Sequence, residues 1–462
     1  MYRRPFYYIQ SPEKPLTIEK LQYWLQQHTV DCKRLQYLKD LYEGRHPIQL
    51  QPKKEPWKPD NRIICNFAKY IVDTFNGYFI GIPVKTMHPD AAVAETLEAI
   101  QQYNDQDDSN YELAKYCSIY GNGFELLYTD ETAHICTTYL SPLECFVVYD
   151  DSVARKPLYG VRYYRTTDNI LMGSVYSQTE EIPFSDAGDG LRFDDPKPHY
   201  FGGVPLIEYI ENEERQGAFE QVESAITAYE KAISEKANDV DYFADAYLLL
   251  MGLQVDEENL HTIRSDRVIH VPPMDADDIN AIRVEFLQKP AADATQENLL
   301  NRLEDQIFAQ SMVANISDES FGSSSGTALA YKLQPMKNQA AAKSRKFASA
   351  MNQRWRLIAA HPASKLATDD WMQITYRFTQ NAPKNLLEEA QTAAQMAGIT
   401  SKETQLSVIS AVDDPQTELE KIDLENGGEA ADALQAERVT GDAEGYLLEQ
   451  AAARIGCIFK QR

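Results

Sequence analysis

The sequence predicts an α+β protein, and three stretches carry that prediction. Residues 124–208 contain short runs in which apolar and polar side chains alternate, which is typical of antiparallel strands. Residues 218–251 contain neither Pro nor Gly, as expected of a long helix. Residues 320–368 contain no Asp or Glu but hold eight Lys and Arg side chains, most of them on a second helical pattern.

Composition narrows the class of protein. A chain of 462 residues is too long for one compact core, so about two to four domains are expected. The formal net charge of -25 argues against a protein that coats nucleic acid with its whole surface. The six Cys form no C-x-x-C pair, which favours a reduced, intracellular environment. No signal-peptide core follows the first residues, and no apolar run is long enough to cross a membrane, so we expect a soluble protein without a membrane partner.

The first segments predict helices joined by a proline-rich connector. Residues 18–42 place apolar side chains on one side of a helix, and Gly44 ends it. Asn66 is a suitable N-cap for a second helix, which Gly81 and Pro83 end. Further helices are expected at residues 91–103 and 111–120, before one antiparallel meander from about Phe124 to Glu208.

Two long helices enclose a small insert in the middle of the chain. The first is expected over residues 211–247 and the second from Asp293 to about Ile316. The insert, residues 248–289, contains β-like runs at residues 267–271 and 281–286. The first helix should present a negative face that includes Glu220, Glu223, Glu230 and Glu235. This face is either a functional surface or simply a solvated one.

A small-residue loop and a basic helix follow. The loop comprises Ser320, Phe321, Gly322, Ser323, Ser324, Ser325 and Gly326. Pro335 should kink the helix or start its second half, and His361-Pro362 should end it. The candidates for phosphate or intersubunit contacts are Lys332, Lys337, Lys343, Arg345 and Lys346. A solvated face, a nucleic-acid contact and a contact with the acidic surface of another copy all remain open.

The last segment begins with a strand candidate at residues 372–378. Helices are expected at residues 386–397, 405–409 and 416–424, with a last one at residues 446–459. Residues 413–449 are strongly acidic.

Motifs of catalysis are missing. The sequence contains no P-loop, zinc-protease, nucleophile-elbow or dinucleotide fingerprint. The Gly-Ser loop before the basic helix lacks the Lys-Thr of a nucleotide site, and Asp150-Asp151 stand without further metal ligands. We therefore expect no catalytic residue, no metal and no cofactor, and we predict that the protein is not an enzyme.

Two segments of the sequence form a recognisable ordered set. One is Lys58-Pro-Asp-Asn-Arg-Ile-Ile64 with the continuation to Gly81-Ile-Pro-Val84, and the other is Asp318-Glu-Ser-Phe-Gly322 with residues 325–333 and the basic helix. Together they resemble the portal proteins of long, non-contractile-tailed bacteriophages. The order of elements is also similar, over roughly residues 15–425. The resemblance implies a portal fold with long stem helices, a mixed α/β wing, a small α/β clip and a helical C-terminal crown.

The resemblance also implies a domain scheme and partners. The expected parts are a wing (1–210), a stem helix (211–247), a clip (248–289), a second stem helix (290–316), the tunnel loop with the basic helix (317–368) and the wing end with the crown (369–462). Arg264, Arg267 and His270 are the candidate clip residues. The expected assembly is a ring of twelve copies at one vertex of the virion capsid, assembled in the bacterial cytoplasm. It conducts double-stranded DNA and binds terminase, head-completion or connector proteins, scaffold and capsid proteins.

Two other classes of function compete with this interpretation. A metal-dependent nucleic-acid-processing enzyme would use acids such as Asp150 and Asp151 and would be a monomer or dimer. A head-morphogenesis scaffold or adaptor would form small oligomers without a central channel.

Overall fold

A computed structural model describes residues 8–55, 58–186, 188, 190–244, 248–251, 268–271, 283–286, 293–317, 326–382, 386–409, 411–412 and 414–425. The chain is mixed α and β, as predicted, and its contacts divide it into two units, Met1–Asn381 and Ala382–Arg462. Within the described ranges, no helix is both long and apolar enough to span a membrane.

The first unit begins with strand β1 (Tyr8–Gln10) and helix α1 (Ile18–Tyr42), whose predicted bounds are confirmed. Thr17 caps α1 by accepting a hydrogen bond from the Lys20 amide. Helix α2 (Phe67–Ile80) begins after the predicted cap Asn66, whose side chain accepts from the Lys69 amide. Helices α3 (Ala91–Tyr103) and α4 (Gln106–Tyr120) follow, and α4 starts five residues earlier than expected because residues 106–110 are helical rather than a polar loop.

The expected single meander is wrong, because the strands divide between two sheets. One sheet contains β1 and six further strands, which are β5 (Cys145–Asp150), β6 (Pro157–Arg165), β7 (Leu171–Tyr176), β8 (Glu180–Asp186), β9 (Arg192–Phe193) and β10 (Lys197–Pro198). Their order is β1-β5-β6-β7-β8-β10, with β9 beside β8, and β1 pairs in parallel with β5. The other sheet has the order β11-β3-β4, formed by β3 (Asn122–Thr129), β4 (Ile135–Leu140) and β11 (Leu206–Ile210).

Strand β5 lies between two cores and explains the division. Phe146 and Val148 pack with Trp24 of α1, while Cys145 and Val147 pack with residues of β3, β4 and β11. A strand that is buried on both faces needs a continuous apolar run, and residues 145–148 supply it.

The two long helices flank a separate small sheet. They are α5 (Glu223–Ala244) and α6 (Asp293–Ser311), and together they are here called the hairpin. The sheet between them in sequence has the order β13-β12-β14, formed by β12 (Leu248–Met251), β13 (Val268–Val271) and β14 (Arg283–Phe286). β12 pairs in parallel with β13 and antiparallel with β14. The first helix starts later than predicted, because the residues just before Glu220 lie against the end of α4. There the Ala218 amide donates a hydrogen bond to Ser118 O at 2.7 Å.

Helix α7 (Gly326–Ala360) is the predicted basic helix and contains Pro335 in its interior. Its buried side includes Met336, Phe347 and Trp355, and the Phe347 ring contacts Phe79 and Tyr209. A short strand, β15 (Thr375–Arg377), then pairs with β2 (Lys85–Met87), so residues up to 381 belong to the first unit. In the second unit the described elements are α8 (Leu386–Gln395), α9 (Lys402–Val408) and a helical segment at residues 415–425.

Candidate functional site

The hairpin is the first candidate, because its two helices connect the body of the chain to the small sheet. α5 and α6 are tied by an ion pair between Lys236 and Glu297 and by a hydrogen bond of 3.0 Å from Gln296 Nε2 to Asp239 Oδ2. These polar links and the buried Leu300 and Ile307 fix one helix against the other. The two helices of the hairpin can therefore act as one rigid element.

The predicted negative face of α5 needs correction. Glu220 and Glu223 contact α1: Arg34 Nε donates to Glu220 Oε1 at 2.8 Å, and the Tyr37 hydroxyl donates to Glu223. In the same way, Lys54 Nζ lies 2.9 Å from Glu235 Oε1. The N-terminal segment runs along this side of α5, so Glu220, Glu223 and Glu235 are engaged within their own chain rather than forming an open acidic wall.

Glu230 is the most enclosed of the four acids. Its carboxylate is almost fully buried, and Oε1 lies 2.6 Å from Nδ1 of the buried His46 and 3.2 Å from the Cys65 amide. Nε2 of His46 lies 2.9 Å from Leu41 O at the end of α1. His46 thus joins α1, the proline-rich connector and α5 at one point.

Lys343 also departs from the predicted surface role. Only 1% of its side chain is exposed, and Nζ contacts Glu211 Oε2 at 2.6 Å, Ser118 Oγ at 2.7 Å and Ala114 O at 2.9 Å. Burial raises the pKa of Glu211, although the Lys343 charge opposes this. Lys343 is therefore an internal link between α7, α4 and the end of β11, which makes it unavailable to phosphate or to another copy.

Arg354 forms a second buried link that sequence reasoning missed. Nε donates to Glu125 Oε2 at 2.7 Å and Nη2 donates to Asn110 Oδ1 at 2.7 Å, while Tyr209 donates to the same carboxylate at 2.8 Å. Although burial opposes its charge, Glu125 holds the pKa of Arg354 above its usual value. The signal was present, because Lys343 and Arg354 lie at helical spacing within the apolar stripe of α7.

The other basic residues of α7 are on or near its surface. Lys346 forms an ion pair of 2.5 Å with Glu213 of the same chain. Lys332, Lys337, Arg345 and Arg356 are exposed. Among the described residues, Lys337, Arg345 and Arg356 make no ion pair, and Arg345 and Arg356 lie opposite the buried stripe of the helix. We call Arg345 and Arg356 the outer basic face.

Two predicted sites lie largely outside the described residues. Of the small-residue loop, Ser320–Ser325 are outside them, and Gly326 is the first residue of α7. Of the clip candidates, Arg264 and Arg267 are outside them, and His270 is paired with Leu250 in the small sheet. The chain that enters the loop is held by Tyr70, whose hydroxyl accepts from the Ile316 amide at 2.8 Å.

The acids considered for a metal site form a turn instead. Asp150 Oδ1 accepts from the Ser152 amide, the Ser152 hydroxyl and the Lys156 amide, and the Ser152 hydroxyl is the main cause that lowers the Asp150 pKa. Within the part of the chain that the structure describes, no group of three or more His, Cys, Asp or Glu is placed to hold a metal ion.

Comparison with known proteins points in one direction. A family model described as phage portal protein, SPP1 Gp6-like, matches residues 21–432. The chain is 25% identical over 396 residues to a portal protein of Bacillus phage SPP1, an alignment that covers 80% of this chain and 76% of that protein. It is 23% identical over 250 residues to a portal protein of Clostridium phage phiCD119, covering 54% of this chain and 53% of that protein.

Proposed function

The chain belongs to the SPP1 Gp6-like family of phage portal proteins, and from this premise we propose which of its parts carry the tasks of a portal. A portal protein forms an oligomeric ring at the capsid vertex. The ring is the conduit for DNA packaging and ejection and the docking platform for terminase and head-tail connector proteins. Portal proteins are structural components of the virion rather than enzymes.

The observation that carries the assignment is the hairpin with its separate sheet. α5 and α6 leave and re-enter the body of the chain, and β12, β13 and β14 pair with one another between them. We assign the hairpin to the stem and residues 248–289 to the clip, where terminase and later connector proteins dock. Residues 1–210 then form the wing and residues 369–462 the wing end and the crown.

The DNA path is assigned to the loop before α7. Residues 320–326 are small and polar apart from Phe321, so their composition offers little apolar surface for packing. It joins the second stem helix to α7 and forms a collar at the channel axis. Lys332 and Lys337, both exposed, supply weak phosphate contacts that salt screens.

The assembly is assigned as a ring of twelve copies that forms in the host cytoplasm. It receives scaffold and capsid proteins during head assembly, and terminase and connector proteins in turn. Support comes from the family match over most of the chain. The symmetry number is a proposal that imaging decides.

Electron cryo-microscopy of the purified full chain tests the assignment. We expect a closed ring of twelve copies with an axial hole, with the small sheet at one end of the stem and the loop 320–326 at the narrowest point. A monomer, a dimer or an assembly without a channel contradicts the portal function. A ring with another number of copies, or with the loop on its outer rim, contradicts only that part.

A further inference from the structure

The hairpin carries an open groove along one of its sides. The groove has a volume of about 520 Å³. Its apolar lining comes mainly from Tyr229, Ile233, Ala237 and Val240 of α5 and from Leu300 of α6. Val240 is 62% exposed, so this apolar surface is not covered by the described parts of its own chain. A groove of this kind is a candidate surface for contact with another protein.

The polar rim of the groove does not resemble a small-molecule site. Lys236 is paired with Glu297, and Asn61 Nδ2 donates to Asp241 Oδ2 at 2.5 Å, so the rim groups bind one another rather than converge on a ligand. A small-molecule pocket instead encloses its ligand and directs polar groups at it. The groove fits an apolar side chain presented by another protein surface.

Such a side chain lies on the other side of the same helix. Leu299 of α6 is 49% exposed, whereas the groove is lined by its neighbours Glu297, Leu300 and Asn301. At 3.6 residues per turn, Leu299 and Arg302 point roughly half a turn away from the groove side of α6. Arg302 is exposed and makes no ion pair with any residue that the structure describes.

A ring needs two different, complementary surfaces on each copy, because its contacts run head to tail. The hairpin supplies both, since Leu299 projects from one side and the apolar groove is open on the other. The charges are complementary as well, because Arg302 stands beside Leu299 while the rim of the groove holds Asp241 and the Lys236–Glu297 pair, whose net charge is negative.

We infer that Leu299 of each copy inserts into the α5–α6 groove of the next copy and that Arg302 meets the acidic rim there. The occupant of the groove is therefore a second copy of this chain. This inference rests on the proposed portal ring, and it names the surface through which the stems join.

Cysteine cross-linking tests the contact. In Ala237→Cys/Leu299→Cys, one thiol lies in the groove and the other replaces the inserting side chain. We expect a bismaleimide to convert assembled rings of this variant into a ladder of covalent species larger than a dimer on a denaturing gel. Each single variant reports the background from native cysteines and should give no ladder.

The matched control is Val153→Cys/Leu299→Cys, since Val153 lies fully exposed in the turn after β5. It should resemble the single variants. Assembled rings of Ala237→Cys/Leu299→Cys that give no covalent multimers overturn the inference, and a product that stops at the dimer shows a two-fold contact and overturns it as well. Wild-type protein that forms no ring contradicts the proposed function itself, so the two failures are distinguishable.

Discussion

Lys343 lies on the buried side of α7, where only 1% of the residue is exposed. A lone cation in this position is tolerable only because Glu211, Ser118 and Ala114 surround its ammonium group. Removing one partner of such a pair leaves the other charge buried, which costs about 3–5 kcal/mol. An exposed pair contributes about 1 kcal/mol or less.

Lys343→Met should therefore lower the free energy of unfolding by about 3 kcal/mol or more, while Lys346→Met should change it by less than about 1 kcal/mol. Urea denaturation of both variants measures the difference. Equal losses in the two variants would show that burial of Lys343 does not dominate.

The Lys343→Met loss should also depend on pH. Burial already raises the pKa of Glu211 above its ordinary 4.5, and removing the cation raises it further. The folded variant then holds a proton that the unfolded chain releases, so its free energy of unfolding falls as the pH rises above 4.5. The deficit relative to wild type should be larger at pH 7 than at pH 5, and a constant deficit contradicts this account.

His28 gives a prediction of the opposite sign. Burial lowers its pKa to about 4, against the effect of its contact with Pro142 O. Its Nε2 lies 2.9 Å from Pro142 O and its Nδ1 lies 2.8 Å from the Tyr163 hydroxyl, which suits the neutral ring. The unfolded chain binds a proton near pH 6.5 that the folded chain takes up only near pH 4, so acidification costs stability.

Wild type should lose up to about 3 kcal/mol through His28 as the pH falls from 6.5 to 4. In His28→Gln this part of the pH dependence should disappear, because an amide keeps a donor and an acceptor without titrating. Urea denaturation across this range measures the slope, with the exposed His134→Gln as control. An unchanged slope in His28→Gln would assign the acid sensitivity elsewhere.

At the scale of elements, the basic residues of α7 fall into two groups according to the side of the helix on which they lie. Lys343, Lys346 and Arg354 form ion pairs with acids of their own chain, whereas Arg345 and Arg356 of the outer basic face make no ion pair among the described residues. A helix face of one sign on a strongly acidic protein suits the acidic surface of a neighbouring copy. Variants that test subunit contacts should therefore alter this face and leave Lys343 intact.

Arg345→Glu/Arg356→Glu should weaken the ring, because it puts like charges opposite one another across the contact. Native mass spectrometry at low and high salt should show a smaller ring fraction than wild type, and the difference should shrink as salt screens the repulsion. Lys14→Glu/Lys53→Glu changes the net charge equally at exposed sites outside α7. Unchanged rings in the α7 variant, or equal loss in both, would remove the outer basic face from the contact.

At the scale of the whole molecule, the small sheet is a separable part. β12, β13 and β14 form a sheet of their own and contribute no residue to the two cores on either side of β5. Replacing residues 248–289 with a short turn should leave the rings intact and abolish DNA packaging, because we propose this insert as the clip to which terminase docks.

Electron microscopy of the purified deletion protein and the DNA content of heads assembled with it measure the two effects. A matched insertion of the same turn after Val153, an exposed position, should preserve both assembly and packaging. Loss of the ring itself in the deletion, or normal packaging without the insert, contradicts the clip assignment.

Local sequence determined the bounds of several helices of this protein. α1 has the predicted bounds because Thr17 caps it and apolar residues recur on one side, and α7 ends where His361-Pro362 stops it. The Asn66 cap of α2 is of the same kind. These features depend on neighbours within a few residues, so their signals can be read along the chain. The family resemblance is likewise a property of ordered local motifs, and the family match confirms it.

Only the tertiary structure decided how the strands divide between two sheets and which charged side chains are paired within the chain. The strands form two sheets instead of one meander because β5 is buried on both faces. β1, which is distant from β5 in sequence, pairs with β5 in one of these sheets. Acids on the predicted negative face contact α1 and the connector. Lys343 and Arg354 form buried ion pairs with Glu211 and Glu125. The burial of a charge and its partner are set by segments that are distant in sequence, and a periodic pattern records spacing along one helix without recording what lies opposite it.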